Sequence, residues 1–134
     1  MISLDYDDKE DILQISVVGG VNNEEISAGL KQIAERFKHK KQLFVLADYS
    51  RGWIEADPGF FLVNLNAITE VFVQYFAPFE QYYNAYIIDP EDKNATEVLI
   101  RQFIKLIGNV DSFHYEFFRS QDQAYNWIKS MQSQ

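Results

Sequence analysis

The sequence contains no cysteine, which removes disulfide scaffolds, thiolate nucleophiles, cysteine-based zinc sites and iron–sulfur clusters together. Proline is scarce, and Pro58, Pro78 and Pro90 each fall where an element boundary is expected. There is no Pro/Gly/Ser-rich linker and no internal repeat, so one domain over residues 1–134 is expected. Positive charge is also short: 12 Lys and Arg face 20 Asp and Glu, for a formal net charge of −8. Phosphate backbones repel such a surface, so nucleic acid is not an expected partner. No uninterrupted apolar run approaches the roughly 20 residues of a membrane span, so none is expected. The opening residues 1–8 are acidic where an export signal needs a basic start and an apolar run. Together with the lack of cysteine, this predicts a cytoplasmic protein.

Apolar side chains, by contrast, are plentiful. They make up 47% of the chain, with 11 Phe, 8 Tyr and 2 Trp, enough to offset the entropy of ordering the backbone on burial. Ile2, Leu4 and Tyr6 alternate with polar residues, 7–11 form a charged turn, and 12–18 alternate again, the pattern of an antiparallel hairpin. Gly19 and Gly20 read as the end of the second strand. Asn22 or Asn23 can cap a helix with Glu24 and Glu25 in its first turn, and Ile26, Leu30, Ile33 and Phe37 give that helix one apolar face. Arg36, Lys38, His39, Lys40 and Lys41 cluster at its end, where the helix dipole favours cations.

Residues 43–47 form an unbroken apolar run, expected as a central parallel strand covered on both faces. Asp57, Pro58 and Gly59 open a second helix that Ala77 and Pro78 close. Residues 86–88 read as the fourth strand, 98–107 as a helix stopped by Gly108, and 113–118 as the fifth strand. Ser120 followed by Gln123 gives a capping-box start to the last helix, which turns Ala124, Trp127, Ile128 and Met131 inward. The order ββαβαβαβα predicts an α/β fold: a mixed, mostly parallel five-stranded sheet with four helices and one antiparallel edge.

Catalytic chemistry finds little support. Ser50 lacks a G-x-S-x-G frame, and the only histidines are His39 in the lysine-rich helix end and His114 on a late strand. A hydrolase built on Ser50, Asp48 and Asp57 therefore ranks below a binding role. The acidic groups at 7–11 and 89–92 lack the ligand spacing of a calcium loop and read as solvated turns. No metal and no cofactor is expected.

The strongest signal lies in residues 60–79. Phe61, Leu65, Ile68, Phe72, Phe76 and Phe79 recur at steps of three and four and mark one apolar helical face. Phe60, Ala67 and Val71 widen it, while Leu62, Val63 and Val73 lie on the side that carries Asn66, Glu70 and Gln74. Such a helix is more apolar than one core face requires. Other elements of the chain, a second copy in a homodimer, or an apolar ligand under the helix would each cover the surplus.

This element order resembles the STAS superfold over the whole chain and, within it, the SpoIIAA-like (STAS/SEC14 domain-like) family. Asp48-Tyr49-Ser50 matches the D-x-S loop after the third strand of the sporulation anti-sigma-factor antagonists, and Gly59 matches the glycine two residues after their phosphorylatable serine. Asp57 stands at that serine, so the match to the phosphorylated branch fails there, and Asp57 reads as a helix cap. Residues 118–128 are similar to the family's aromatic strand end, capped turn, and Ala and Trp-aliphatic positions, here Ala124 and Trp127-Ile128.

The resemblance implies a non-enzymatic binding or regulatory module. Open α/β sheets bind ligands beyond the carboxyl ends of their central strands. A protein partner or small apolar ligand is accordingly expected at Asp48, Tyr49, Ser50, Arg51, Trp53, Asp57 and Gly59, beside the helix face of Phe61, Leu65, Phe72 and Phe76. SEC14-like relatives hold lipids beneath a movable helix, which is the basis for the apolar ligand. A homodimer without ligand is the alternative.

Overall fold

The structure, a computed structural model, describes residues 1–55, 65–108 and 111–134. Its elements are β1 (Ile2–Asp7), β2 (Ile12–Val21), α1 (Asn23–Phe37), β3 (Gln42–Ile54), α2 (Leu65–Phe76), β4 (Gln81–Ile88), α3 (Thr96–Ile107), β5 (Phe113–Phe118) and α4 (Gln121–Gln132). The strands lie in one sheet in the order β1-β2-β3-β4-β5. β1 is antiparallel to β2 and every other pairing is parallel, which is the mixed sheet that the order of elements predicts.

Helices cover both faces. On one, Ile26 and Leu30 of α1, Ile68 of α2, and Leu99, Ile100 and Ile104 of α3 pack over Val17, Ala47, Tyr86 and Ile88. On the other, Ala124 and Ile128 of α4 pack over Ile12, Phe44, Leu46, Ala85 and Ile87. The period-two alternation of a strand sends neighbouring side chains of β3 and β4 into the two layers, and both layers are apolar. Hence all of residues 82–88 are buried.

Local signals place the element ends. The Asn22 side chain accepts from the Glu25 amide at 2.9 Å, while the Glu25 carboxylate accepts from the Asn22 amide at 3.4 Å, a complete capping box. Ser120 Oγ accepts from the Gln123 amide at 3.3 Å. Lys40, from the basic cluster, has a specific task. Its ammonium lies 2.8 Å from Asp11 Oδ1, which also accepts the Tyr6 hydroxyl at 2.7 Å. These contacts hold the hairpin turn, where Asp11 takes a left-handed φ of 56°.

Four boundaries differ from expectation. β2 does not end at the glycine pair but runs to Val21, and β3 does not end at Ala47 but continues to Ile54. Asp48, Tyr49, Ser50, Arg51 and Trp53, expected in a loop, are therefore strand residues. The physical reason is a bulge. Ser16 faces Asp48 while Val18 faces Arg51, so two residues of β3 stand opposite one of β2. The Asp48 carboxylate accepts the Ser50 amide at 2.8 Å and stabilises the kink. The extra residue breaks the alternation that marks a strand in sequence.

β4 begins at Gln81, five residues before the expected start, because Asn84 interrupts an apolar pattern with a residue that strands disfavour. α3 begins at Thr96 rather than Val98, capped from upstream by the Asp92 carboxylate, which accepts from the amides of Thr96 (2.8 Å) and Glu97 (3.2 Å). The expected start of α2 at Asp57, Pro58, Gly59 and Phe61, and the side chain of Leu65, lie outside the described residues. Among the described residues no helix is long and apolar enough to cross a membrane.

Candidate functional site

Between the sheet and the three helices on its larger face lies a cavity of about 80 Å³. Its floor is Ile15 of β2, Ala47, Tyr49 and Ile54 of β3, and Tyr82, Asn84 and Tyr86 of β4. Its roof is Ile26 and Leu30 of α1, Ile68 of α2, and Leu99, Ile100 and Phe103 of α3. The bulge in β3 helps to build it. Ala47 before the bulge and Tyr49 within it face the helices, and the extra residue shifts the parity so that Ile54 faces them after it.

The polar groups of this cavity are few and neutral. Burial pushes the Tyr49 phenol up to about 12 and raises those of Tyr82 and Tyr86 further, the first of these two in spite of the Asn84 hydrogen bond that opposes the shift. All three stay protonated at neutral pH. Asn84 is 5% exposed. Its Nδ2 donates to the Tyr82 hydroxyl at 3.2 Å, whereas Oδ1 is buried with no hydrogen-bond partner among the described residues. A desolvated carbonyl without a donor is costly and uncommon in native proteins.

The residues expected to form one site are divided by the structure. Tyr49 lines the cavity beneath the helices. Ser50, Arg51 and Trp53 line a separate polar cleft of about 240 Å³, shared with Asp89, Lys93 and Thr96 at the start of α3. Asp48 serves the bulge through Ser50. Phe72 and Phe76 belong to an aromatic cluster, stacked with ring centres 4.7 Å apart and in edge contact with Tyr82. They line a second hollow of about 100 Å³ with Ile107 and Phe113. Asp57, Gly59 and Phe61 are not among the described residues.

Ser50 finds no histidine base. His114 pairs with Tyr83, whereas Tyr49 pairs with Ile88. Five residues of β4 separate the two positions, about 17 Å at ~3.3 Å per residue. The His114 ring is stacked on Tyr83 and its Nε2 lies 2.6 Å from Gln81 Oε1. His39 follows the end of α1, at the same end of the sheet as Gln42 and Gln81.

Sequence reading missed Tyr82, Asn84, Tyr86 and Phe103 as cavity residues. The signal that could have found them is an asparagine in the middle of an aromatic and aliphatic run, since a buried amide needs partners.

No protein-family model matches the chain, and no curated protein matches it. Among solved structures it is similar to an uncharacterised protein of the DUF3478 family with a SpoIIAA-like fold from Shewanella loihica PV-4. The identity is 15% over 96% of this chain and 92% of that one, with a TM-score of 0.59. It also matches the anti-sigma factor antagonist SpoIIAA in its unphosphorylated form at 7% identity, over 96% of this chain and 98% of that one, with a TM-score of 0.47. The chain therefore has a SpoIIAA-like fold, the architecture that its element order implied.

Proposed function

We propose that this chain, as one domain over residues 1–134, is a non-enzymatic binding module that takes a small, mainly apolar ligand into the cavity beneath α1, α2 and α3. The observation that carries this reading is the buried Asn84 carbonyl, without a donor among the described residues, in the wall of a mainly apolar cavity. Cavities that are only packing defects are apolar throughout, and buried amides in well-packed cores are satisfied.

Size limits the guest. A water molecule needs about 10–15 Å³, so a cavity of about 80 Å³ suits a molecule of roughly half a dozen heavy atoms rather than a long acyl chain. The phenols that line it are held protonated and are poor general bases. Binding fits these groups better than proton-transfer chemistry does.

Native mass spectrometry compared with the denatured mass tests for a retained molecule. Thermal unfolding with a panel of such molecules (toluene, phenol, cyclohexanol, butanamide) tests the cavity itself. At least one should raise the melting temperature of the natural chain and fail to do so in Ala47→Leu, where the added side chain occupies the cavity. A guest at a hundred times its Kd stabilises by about 2.7 kcal/mol. No rise with any member, or an equal rise in Ala47→Leu, removes the reading.

A second reading, an organising homodimer, rests on β5. Among the described residues this strand pairs only with β4. Antiparallel pairing of two copies centred on Tyr115 sets His114 opposite the partner's Glu116 and Phe113 opposite the partner's Phe117. Polar and aromatic cross-strand pairs of this kind are favourable. Sedimentation at roughly tens of micromolar should then give a dimer that Glu116→Lys splits, and a monomer for the natural chain excludes it.

A further inference from the structure

We infer that the guest of the cavity is a neutral hydroxyl compound about the size of phenol, recognised by Asn84. The inference rests on the ligand-binding reading above and names the chemistry that the cavity selects. Tyr82, Asn84 and Tyr86 alternate along β4, so all three face the helices, and Asn84 is nine-tenths buried between the two rings. An amide carries two acceptor sites on Oδ1 and two donors on Nδ2. The only hydrogen bond of the Asn84 side chain among the described residues is the one from Nδ2 to the Tyr82 hydroxyl at 3.2 Å.

Charge and hydrogen bonding narrow the class. No charged side chain lines the cavity among the described residues, so a carboxylate or an ammonium would be desolvated without a counter-charge. The guest is therefore neutral. It must also supply what Asn84 lacks. A hydroxyl donates to Oδ1 and can accept from a neighbouring phenol. If the amide turns over, the Tyr82 hydroxyl donates to Oδ1 and the freed Nδ2 donates to the guest. A hydroxyl satisfies both orientations, whereas a ketone or ether satisfies only the second. The rings of Tyr82, Tyr86 and Phe103, with Ile15, Leu30 and Ile68 around them, give the rest of the guest an apolar enclosure.

Phenol and toluene have the same shape and differ in this one group. Phenol is much the better hydrated, so a purely apolar cavity takes toluene in preference. Calorimetric titration of the full chain at neutral pH with phenol, cyclohexanol, toluene and benzoate should show phenol binding at least as tightly as toluene, and benzoate not binding. In Asn84→Leu the order should reverse, with toluene at least tenfold tighter than phenol, a difference of about 1.4 kcal/mol.

If toluene already binds tenfold tighter in the natural chain, the hydroxyl assignment is wrong while the cavity reading stands. If Asn84→Leu keeps the preference for phenol, Asn84 is not the recognising group. Should no compound bind, both proposals fail together. A variant that does not fold leaves the comparison in the natural chain decisive. There the Asn84 side-chain NH2 resonances, assigned by NMR, should also move further with phenol than with toluene.

Discussion

Gly52 lies against Val17 so closely that a Cβ on it would overlap the Val17 carbonyl oxygen and its carbonyl carbon. The contact follows from the bulge, where β3 fits two residues opposite Val17 and bends toward β2. The obstacle is backbone in the interior of a parallel pair, and it cannot move without breaking the ladder. Gly52→Ala should therefore destabilise the fold by about 1–3 kcal/mol, the usual cost of overpacking. Gly20, one residue along the same pairing, is the control. The atoms nearest to a Cβ there belong to the exposed side chain of Glu55, which can swing away. Gly20→Ala should stay within about 0.5 kcal/mol of the natural chain in urea unfolding, as surface substitutions do. Equal losses in the two variants would count against the bulge as the rigid partner.

The buried phenols set a limit at alkaline pH. Burial raises Tyr49 to about 12, and Tyr82 and Tyr86 in the same direction. In the unfolded chain a phenol loses its proton near 10. A group whose folded pKa is raised keeps its full contribution below the unfolded pKa and loses it as pH rises toward the folded one. Each of the three phenols should thus remove about 1.4 kcal/mol of stability per pH unit above pH ~10. Stability measured by urea unfolding should be flat from pH 7 to 9 on this account and fall steeply between pH 10 and 12, with a shallower fall in Tyr49→Phe. An unchanged slope in that variant would mean that Tyr49 ionises in the folded state as it does in water.

The last turns of α4 are fastened to the hairpin tip. Glu10 Oε2 accepts from Lys129 Nζ at 2.8 Å and from the Tyr125 hydroxyl at 3.0 Å, and Gln132 Nε2 donates to the Glu10 carbonyl at 2.8 Å. The Lys129 hydrogen bond, then that of Tyr125, lowers the Glu10 pKa below its ordinary value. A lowered carboxyl contributes above its unfolded pKa, and that contribution disappears as pH falls through the folded one. Protection factors of the amides in residues 129–132 should fall on acidification below about pH 4.5, and already at neutral pH in Glu10→Ala. Lys38→Ala, which removes only the exposed pair with Glu35, should leave those amides unchanged.

Much of this architecture was legible because its causes are local. Asn22 and Ser120 cap helices by bonding amides three residues away, and Ile2, Leu4 and Tyr6 show their buried face by simple alternation. The cavity was hidden because its causes are not local. Asn84 argues against a strand by propensity, yet β4 is central and both of its neighbours, β3 and β5, pair across it. The continuation of β3 was hidden by the bulge at Tyr49 and Ser50, since an extra residue spoils the period from which a strand is read. Arg51 and Trp53 line a cleft, and the register of β3 shows it to be separate from the apolar cavity that Tyr49 enters.

The start of α3 offers the most direct test of how a distant cap supports the cavity. Asp92 sits in the left-handed region at φ 42°, and its two carboxylate oxygens accept the amides of Thr96 and Glu97. Ala95, at the capping position, has no side-chain hydrogen bond to offer. Asp92→Ala leaves both donors without a partner, and stability should fall by about 0.5–2 kcal/mol, as for loss of an N-cap. Asp92→Asn keeps an acceptor and tolerates the left-handed backbone, so it should recover most of the loss. α3 supplies Leu99, Ile100 and Phe103 to the cavity wall. Amide exchange should therefore rise first at Thr96 and Glu97 in Asp92→Ala and spread along α3 toward Phe103 before the sheet opens. Loss confined to the two capped amides, with no change in global unfolding, would show instead that packing alone holds α3 over the cavity.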